Sequence, residues 1–94
     1  MEISWDEAKA RRNLRKHGLS FQEARDLFLL GADYLEIFDE QRSEEEDRFI
    51  AIGPIRRGIV VIVWTEREGE PVRLSARWAS KREQDLYYES MEIS

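Results

Sequence analysis

A run of six apolar residues, from Ile59 to Trp64, constrains the fold of this 94-residue chain more than any other segment. The run is far too short for a transmembrane helix, which needs roughly 20 consecutive apolar residues. A strand that is apolar on both faces is typical of the centre of a sheet. The run therefore predicts a central strand, which we place at residues 58–65.

Three more strands are predicted around this central strand, at residues 34–38, 48–53 and 72–78. The segments 54–58 and 66–69 have the length and the glycine content of hairpin loops. Because strands joined by short loops run antiparallel, we expect a four-stranded, mainly antiparallel sheet. The last strand alternates, with Arg73, Ser75 and Arg77 on one face and apolar residues on the other.

The pattern Ser-x-x-Glu occurs three times, beginning at Ser4, Ser20 and Ser80. In a capping box of this form, serine and glutamate satisfy the free backbone N–H groups at the start of a helix. Three helices are therefore predicted, at residues 5–16, 21–30 and 81–91. Gly18 and Gly31 are expected to end the first two.

The order of these elements predicts a single α+β domain over residues 1–94, with two N-terminal helices, the sheet and a C-terminal helix. Since a short chain has a thin core, we expect one layer of helix on the sheet. Five aromatic residues are expected in that core: Trp5, Phe21, Phe28, Phe49 and Trp78.

The composition excludes several classes of site. The chain has no cysteine and a single histidine, so disulfides, thiolate zinc sites and histidine-rich metal sites are ruled out. We expect a metal-free protein, and the lack of a secretory signal pattern at the amino terminus predicts a cytoplasmic one.

The formal net charge is −5, but residues 26–47 alone carry −8. The densest part, from Asp39 to Asp47, is predicted to be a solvated loop that lies away from any active site. Nucleic acid therefore remains a possible partner.

Arginines on the last predicted strand suggest a site for an anion. Arg73 and Arg77 share a strand face, and Arg67 follows Thr65 and Glu66 just across the preceding hairpin. The planar guanidinium donates two parallel hydrogen bonds, which suits phosphate. The alternative is that these arginines pair with Glu66, Glu68 and Glu70 on a solvated face of the sheet, as surface charges usually do.

His17 is the one side chain whose ordinary pKa lies near neutrality, so it is a candidate general base. The alternative is a helix C-terminal histidine that interacts with exposed carbonyl groups. Lys9, Arg12 and Lys16 lie on one side of the first predicted helix and could contact either RNA or the acidic segment.

Several motifs occur in a fixed order between residue 5 and residue 87. They are Trp5-Asp6-x-x-Lys9-x-x-x-Asn13, Lys16-His17-Gly18-x-x-Phe21-x-Glu23-Ala24, Glu46-x-Arg48-Phe49-x-x-Ile52-Gly53, Thr65-Glu66-Arg67, Arg73-Leu74-Ser75-Ala76-Arg77-x-Ala79-x-x-x-Glu83 and Tyr87. With these motifs the chain resembles the BrnT toxins of bacterial type II toxin–antitoxin systems, which are small ribonucleases with a RelE-like fold.

The resemblance implies metal-independent cleavage of RNA by attack of the ribose 2′-oxygen on the adjacent phosphorus. Arg67 and Arg77 would stabilise the negative charge of the transition state. Glu66 or His17 would accept the 2′-proton. The flanking substrate would be bound by Lys16, Arg73, Thr65 and Ser75.

The resemblance also implies partners. A cognate BrnA-like antitoxin with a ribbon-helix-helix domain would neutralise the toxin, and DNA would be bound only through that antitoxin. No membrane partner is expected. The alternative function is a non-catalytic domain that only binds the antitoxin.

Overall fold

The computed structural model describes residues 3–31, 33–39, 47–66 and 72–93, and these residues form three helices and five strands. The helices are α1 (Glu7–His17), α2 (Phe21–Leu29) and α3 (Lys81–Ile93). The strands are β1 (Ile3–Ser4), β2 (Leu35–Phe38), β3 (Asp47–Ile55), β4 (Gly58–Glu66) and β5 (Val72–Trp78).

The strands form one sheet in the order β1-β5-β4-β3-β2. Strands β2 to β5 pair in an antiparallel manner, as predicted, and the α+β class and the order of helices and sheet are confirmed. The sequence did not predict β1, which has two residues and pairs with β5 in parallel. A two-residue strand is too short to show an alternating pattern. The RelE-like label stays a prediction from the resemblance.

The first predicted hairpin loop is wrong in its extent. We expected a loop over residues 54–58, but β3 continues to Ile55 and the turn consists of Arg56 and Arg57. Pro54, which pairs with Ile59, lies beyond the last residue of β3 that pairs with β2. A proline is tolerated in a strand where a neighbouring strand does not need its missing N–H group. Most of the second predicted loop lies outside the described residues.

Of the three predicted capping boxes, the one at Ser80 is confirmed, and at Ser20 the serine N-cap is confirmed while the Glu23 carboxylate accepts from Arg57. Ser20 Oγ accepts a hydrogen bond from Glu23 N at 3.0 Å, and Ser80 Oγ accepts one from Glu83 N at 3.2 Å. The predicted box at Ser4 is wrong, because Asp6 is the N-cap of α1 and its Oδ1 accepts from Ala8 N at 2.9 Å. The backbone at Ser4 instead belongs to β1. Pairing with β5 therefore overrides the local signal for a helix start.

Helices cover both faces of the sheet, so the expected single helical layer is wrong. On one face, α2 packs against the sheet and buries Phe21 and Leu27 against residues such as Ile62. On the other face, Tyr87 of α3 packs against Val61. Because successive residues of β4 point to opposite faces and both are buried, each face needs its own cover. The five predicted core aromatics all lie in the first of these cores: Trp5, Phe21, Phe28, Phe49 and Trp78.

The face covered by α3 also carries an open region. Helix α3 contacts β2 and β3. Over β4 and β5, the same face forms the floor of a cavity whose rim includes side chains of α1. The position of α3 thus leaves room for a site beside it.

Candidate functional site

A cavity of about 410 Å³ lies on this face of the sheet. It is built from segments that are far apart in the sequence: α1, three neighbouring strands and the first turn of α3. The side chains that define its chemistry are Lys9, Asn13, His17, Arg48, Ile50, Val61, Val63, Thr65, Ser75, Arg77 and Glu83.

The cavity combines an apolar floor with a basic rim. Ile50, Val61 and Val63 provide apolar surface on adjacent strands, where Ile50 pairs with Val63. Among the described lining residues, four basic side chains and one carboxylate lie around them, namely Lys9, His17, Arg48, Arg77 and Glu83. Although the whole chain carries a net charge of −5, basic side chains outnumber acidic ones around this cavity. This local positive charge favours an anionic ligand over a cationic one.

Helix α1 contributes Lys9, Asn13 and His17 because residues four apart lie on the same side of a helix. Asn13 Nδ2 donates a hydrogen bond to Leu19 O at 2.9 Å, which fixes the chain just after the helix. Of the predicted basic row on α1, only Lys9 lines the cavity. The two other members of the row, Arg12 and Lys16, are exposed.

His17 is the last residue of α1 and its half-buried side chain lines the cavity. Gly18 ends the helix in the left-handed region, with φ of 66°, and its N–H donates to Leu14 O at 2.8 Å. The carbonyl of His17 accepts a hydrogen bond from Trp78 Nε1 at 2.6 Å. The two alternatives from the sequence are therefore compatible in position, because His17 ends α1 and also lines the cavity.

A guanidinium from the β3–β4 turn holds the segment after His17. Arg57 Nη2 donates to Gly18 O at 2.7 Å, and its Nε and Nη2 donate to the two carboxylate oxygens of Glu23, each at 2.6 Å. The guanidinium also lies over the Trp78 ring, 5.2 Å from the centroid. The hydrogen bond from Arg57 lowers the pKa of Glu23 below its ordinary value. Sequence reasoning missed Arg57, since no spacing rule connects residues 34 positions apart.

Arg77 and Glu83 form a two-pronged ion pair at the rim of the cavity. Arg77 Nη1 donates to Glu83 Oε1 at 2.6 Å, and Nη2 donates to Oε2 at 2.7 Å. Glu83 Oε1 also accepts from Ser80 N at 2.9 Å, which completes the capping box of α3. The hydrogen bond from Arg77 is the main cause that lowers the pKa of Glu83 to about 2, and the same bond raises the pKa of Arg77. The partners expected from the sequence were Glu66, Glu68 and Glu70, but Arg77 pairs with Glu83 of α3. Glu68 and Glu70 lie outside the described residues.

The ion pair leaves part of the Arg77 guanidinium available. A guanidinium has five N–H groups. Two of them bind Glu83 and a third, on Nη1, donates to Trp78 O at 3.3 Å. No described residue accepts a hydrogen bond from Nε or from the second N–H of Nη2. These two neighbouring donors form the second fork of the guanidinium, which has the right geometry for two oxygens of a phosphate.

Arg48 is a further basic residue that sequence reasoning did not select for the site. It pairs with Thr65 across β3 and β4, and its Nε lies 3.3 Å from Asp39 Oδ2. Arg48 belongs to the motif Glu46-x-Arg48-Phe49, and this position could have indicated that it takes part in the site. Asp39 begins the acidic run, whose residues 40–46 lie outside the described residues, so the predicted course of that run stays a prediction.

The structure brings together four of the predicted site residues: His17, Thr65, Ser75 and Arg77. It does not bring Glu66 to them. Glu66 Oε1 accepts from Trp64 Nε1 at 3.2 Å, and the Trp64 side chain packs in the core on the opposite face of the sheet.

Three other predicted site residues are not part of the described cavity. Lys16 is exposed on α1 outside the cavity lining. Arg67 lies outside the described residues. Arg73 pairs with Thr65 through the backbone, while its side chain is outside the described part of the structure.

The fold and the cavity together define a small α+β protein with a cationic site on one face of its sheet. Residues 5–83 match the family model of the ribonuclease toxin BrnT of type II toxin–antitoxin systems. The chain belongs to this family, which confirms the resemblance seen in the sequence. No curated protein matches the chain. Within the described residues, none of the helices combines the length and apolar character needed to cross a membrane.

Proposed function

We propose that this protein is an endoribonuclease toxin that cleaves RNA in the cavity beside α3 and is neutralised by a cognate antitoxin. The observation that carries the proposal is that His17 and Arg77 line the same cavity, and that two N–H donors of Arg77 have no acceptor among the described residues. One group can move a proton and the other can bind a phosphate, and the family is one of ribonuclease toxins. The proposed partner is a BrnA-like ribbon-helix-helix protein, which would contact DNA, and the proposed location is the cytoplasm.

The proposed reaction is an internal transfer at phosphorus. The ribose 2′-oxygen forms a bond to phosphorus while the bond to the 5′-oxygen of the next nucleotide breaks, which gives a 2′,3′-cyclic phosphate and a 5′-hydroxyl end. The 2′-proton passes to the base, and the leaving 5′-oxygen takes a proton from solvent water. We assign the base to His17 rather than Glu66, because Glu66 lies on the other face of the sheet. The free fork of Arg77 stabilises the charge that develops on the non-bridging oxygens.

The remaining cavity residues have supporting roles in this proposal. Lys9 and Arg48 add positive charge around the phosphate, and the hydroxyl groups of Thr65 and Ser75 can donate hydrogen bonds to it. Glu83 is a positioning residue, since it holds one edge of the Arg77 guanidinium while the other edge faces the substrate. A preorganised donor loses little energy to reorientation during the reaction.

The proposed chemistry does not use a metal ion. The described rim of the cavity is mainly cationic, which opposes the binding of a divalent cation, and Glu83, the one carboxylate among the described lining residues, is already paired with Arg77. Cleavage should therefore continue in excess chelator. A loss of cleavage in chelator that magnesium restores would contradict this mechanism.

The test is cleavage of a labelled RNA oligonucleotide by the purified protein, with mass spectrometry of the products. We expect a cyclic phosphate that contains no oxygen from the solvent. Arg77→Ala and His17→Ala should each slow cleavage by about 100-fold or more, the typical cost of losing one such group. Arg56→Ala, an exposed arginine on the β3–β4 turn, is the matched control and should cleave at the parent rate.

Two outcomes would decide against the proposal. Cleavage at the parent rate by the Arg77 and His17 variants would show that the site is elsewhere. A parent protein that is folded and binds its antitoxin, but cuts no RNA, would support the alternative of a non-catalytic domain that binds the antitoxin.

A further inference from the structure

Helix α1 concentrates positive charge in an otherwise acidic protein. Over 11 residues it carries five Lys or Arg side chains and one carboxylate, Glu7. All five basic residues are exposed: Lys9, Arg11, Arg12, Arg15 and Lys16. Within the described part of the chain, none of the five forms an ion pair. The helix thus has a strong positive surface that no described side chain neutralises.

The stability of the helix does not account for this charge. Basic residues near the C-terminus, such as Arg15 and Lys16, interact favourably with the helix dipole, but Arg11 and Arg12 lie in the middle of the helix, where they gain nothing from it. The like-charged pairs Arg11–Arg15 and Arg12–Lys16 are four residues apart, a spacing at which they destabilise a helix. An external anion would remove this repulsion.

The helix geometry divides these residues into two groups. With about 3.6 residues per turn, Arg12 and Lys16 lie within about 60° of Lys9 around the helix axis. Since Lys9 lines the cavity, these two side chains lie next to its rim. Arg11 and Arg15 lie about 120–160° away from Lys9, on the outer side of the helix.

We infer that Arg12 and Lys16 extend the cavity into a binding surface for the backbone of single-stranded RNA. This inference rests on the proposed function, since it assigns phosphates next to the cleaved one to the surface beside Lys9. The continuity with the cavity favours RNA over an acidic protein segment, because a chain whose reacting phosphate lies near Arg77 must leave the cavity over its rim. The outer pair, Arg11 and Arg15, takes no part.

The experiment compares two double variants that remove the same charge from the same helix. Arg12→Gln with Lys16→Gln removes the rim pair, and Arg11→Gln with Arg15→Gln is the matched control. The probe is a fluorescent ten-nucleotide RNA with 2′-O-methyl groups throughout, which cannot be cut through its 2′-oxygens. Its affinity for each protein is measured by anisotropy over a range of KCl concentrations, and kcat and KM for an unmodified RNA are measured in parallel.

Each phosphate contact with a single strand contributes about 0.7 to the slope of log K against log salt. The rim variant should therefore lose about 1.4 from the magnitude of the slope if both contacts are made. Its KM should rise while its kcat is unchanged. The outer variant should keep the parent slope and the parent KM.

Each remaining outcome would overturn the inference or locate the failure elsewhere. Equal losses in the two double variants would show an effect of net charge alone. An unchanged slope in the rim variant, with cleavage intact, would refute the RNA surface but leave the proposed function standing. A rim variant that binds RNA normally but binds antitoxin weakly would assign the surface to the protein partner. If the rim variant alone loses about 1.4 from the slope but the parent cuts no RNA, the proposed function fails and the surface holds.

Discussion

Replacing Glu83 with glutamine should separate the two roles of this residue in stability. Glutamine keeps an oxygen that can accept from Ser80 N, so the capping box of α3 survives. The substitution removes the charge that pairs with Arg77. The pKa of Glu83 falls from its ordinary 4.5 to about 2, and at about 1.36 kcal/mol per unit this corresponds to about 3 kcal/mol. Because the Arg77 side chain is 46% exposed, screening by solvent reduces the expected loss to about 1 kcal/mol.

The pH dependence gives this prediction a definite sign. A carboxyl group whose pKa is lowered by folding stabilises the protein above its unfolded pKa, and this contribution is lost as the pH falls through the folded value. The difference between the parent and Glu83→Gln should therefore be complete at pH 7. It should shrink as the pH falls from about 4.5 to about 2. Urea unfolding followed by tryptophan fluorescence measures both proteins across this range.

Asp85→Asn is the matched control, since it changes an acid to an amide on the same helix. Its partner Lys81 is 85% exposed, so we expect a smaller loss than for Glu83→Gln. Equal stabilities of parent and Glu83→Gln at pH 7, or a difference that persists at pH 2, would refute the reasoning. As a positioning residue, Glu83 should also affect kcat more than KM, and its replacement should slow cleavage less than Arg77→Ala does.

Two further substitutions test how the site is supported. Trp78→Phe keeps a ring in the core but removes the hydrogen bond to His17 O, so it should cost about 1 kcal/mol in urea unfolding, and an unchanged midpoint would contradict this. Gly53→Ala would place a Cβ atom 2.6 Å from Leu27 Cδ1 and 2.7 Å from Tyr34 Cβ, so we expect about 1–3 kcal/mol of destabilisation from overpacking, and parent-like stability would show that the backbone moves freely there.

Local sequence patterns were sufficient for most of the secondary structure. The alternation of β5 placed Arg77 and Ser75 on the face opposite Leu74, and the structure agrees. The boxes at Ser20 and Ser80 predicted two helix starts because their contacts span three residues. In each case, the interaction that determines the structure lies within a few residues of the signal.

Interactions between distant segments could not be read in this way. The ion pair of Arg57 and Glu23 has no local signal. The sequence placed Glu66 beside Arg67 and Thr65 but could not show that strand alternation directs Glu66 to the other face of the sheet. The same limit applies to α3, whose apolar residues predict a buried side but not which face of the sheet it covers.

The cavity is assembled from both halves of the chain, which has a consequence for its formation during translation. Lys9 and His17 are synthesised before Arg77 and Glu83. At about 5–20 residues per second, the ribosome needs about 3–12 s to add the 60 residues from His17 to Arg77. Until β5 emerges, β1 lacks its pairing partner and α1 lacks the strand against which it packs. A nascent chain therefore has no complete cavity, and a product that terminates before β5 should lack the proposed ribonuclease activity.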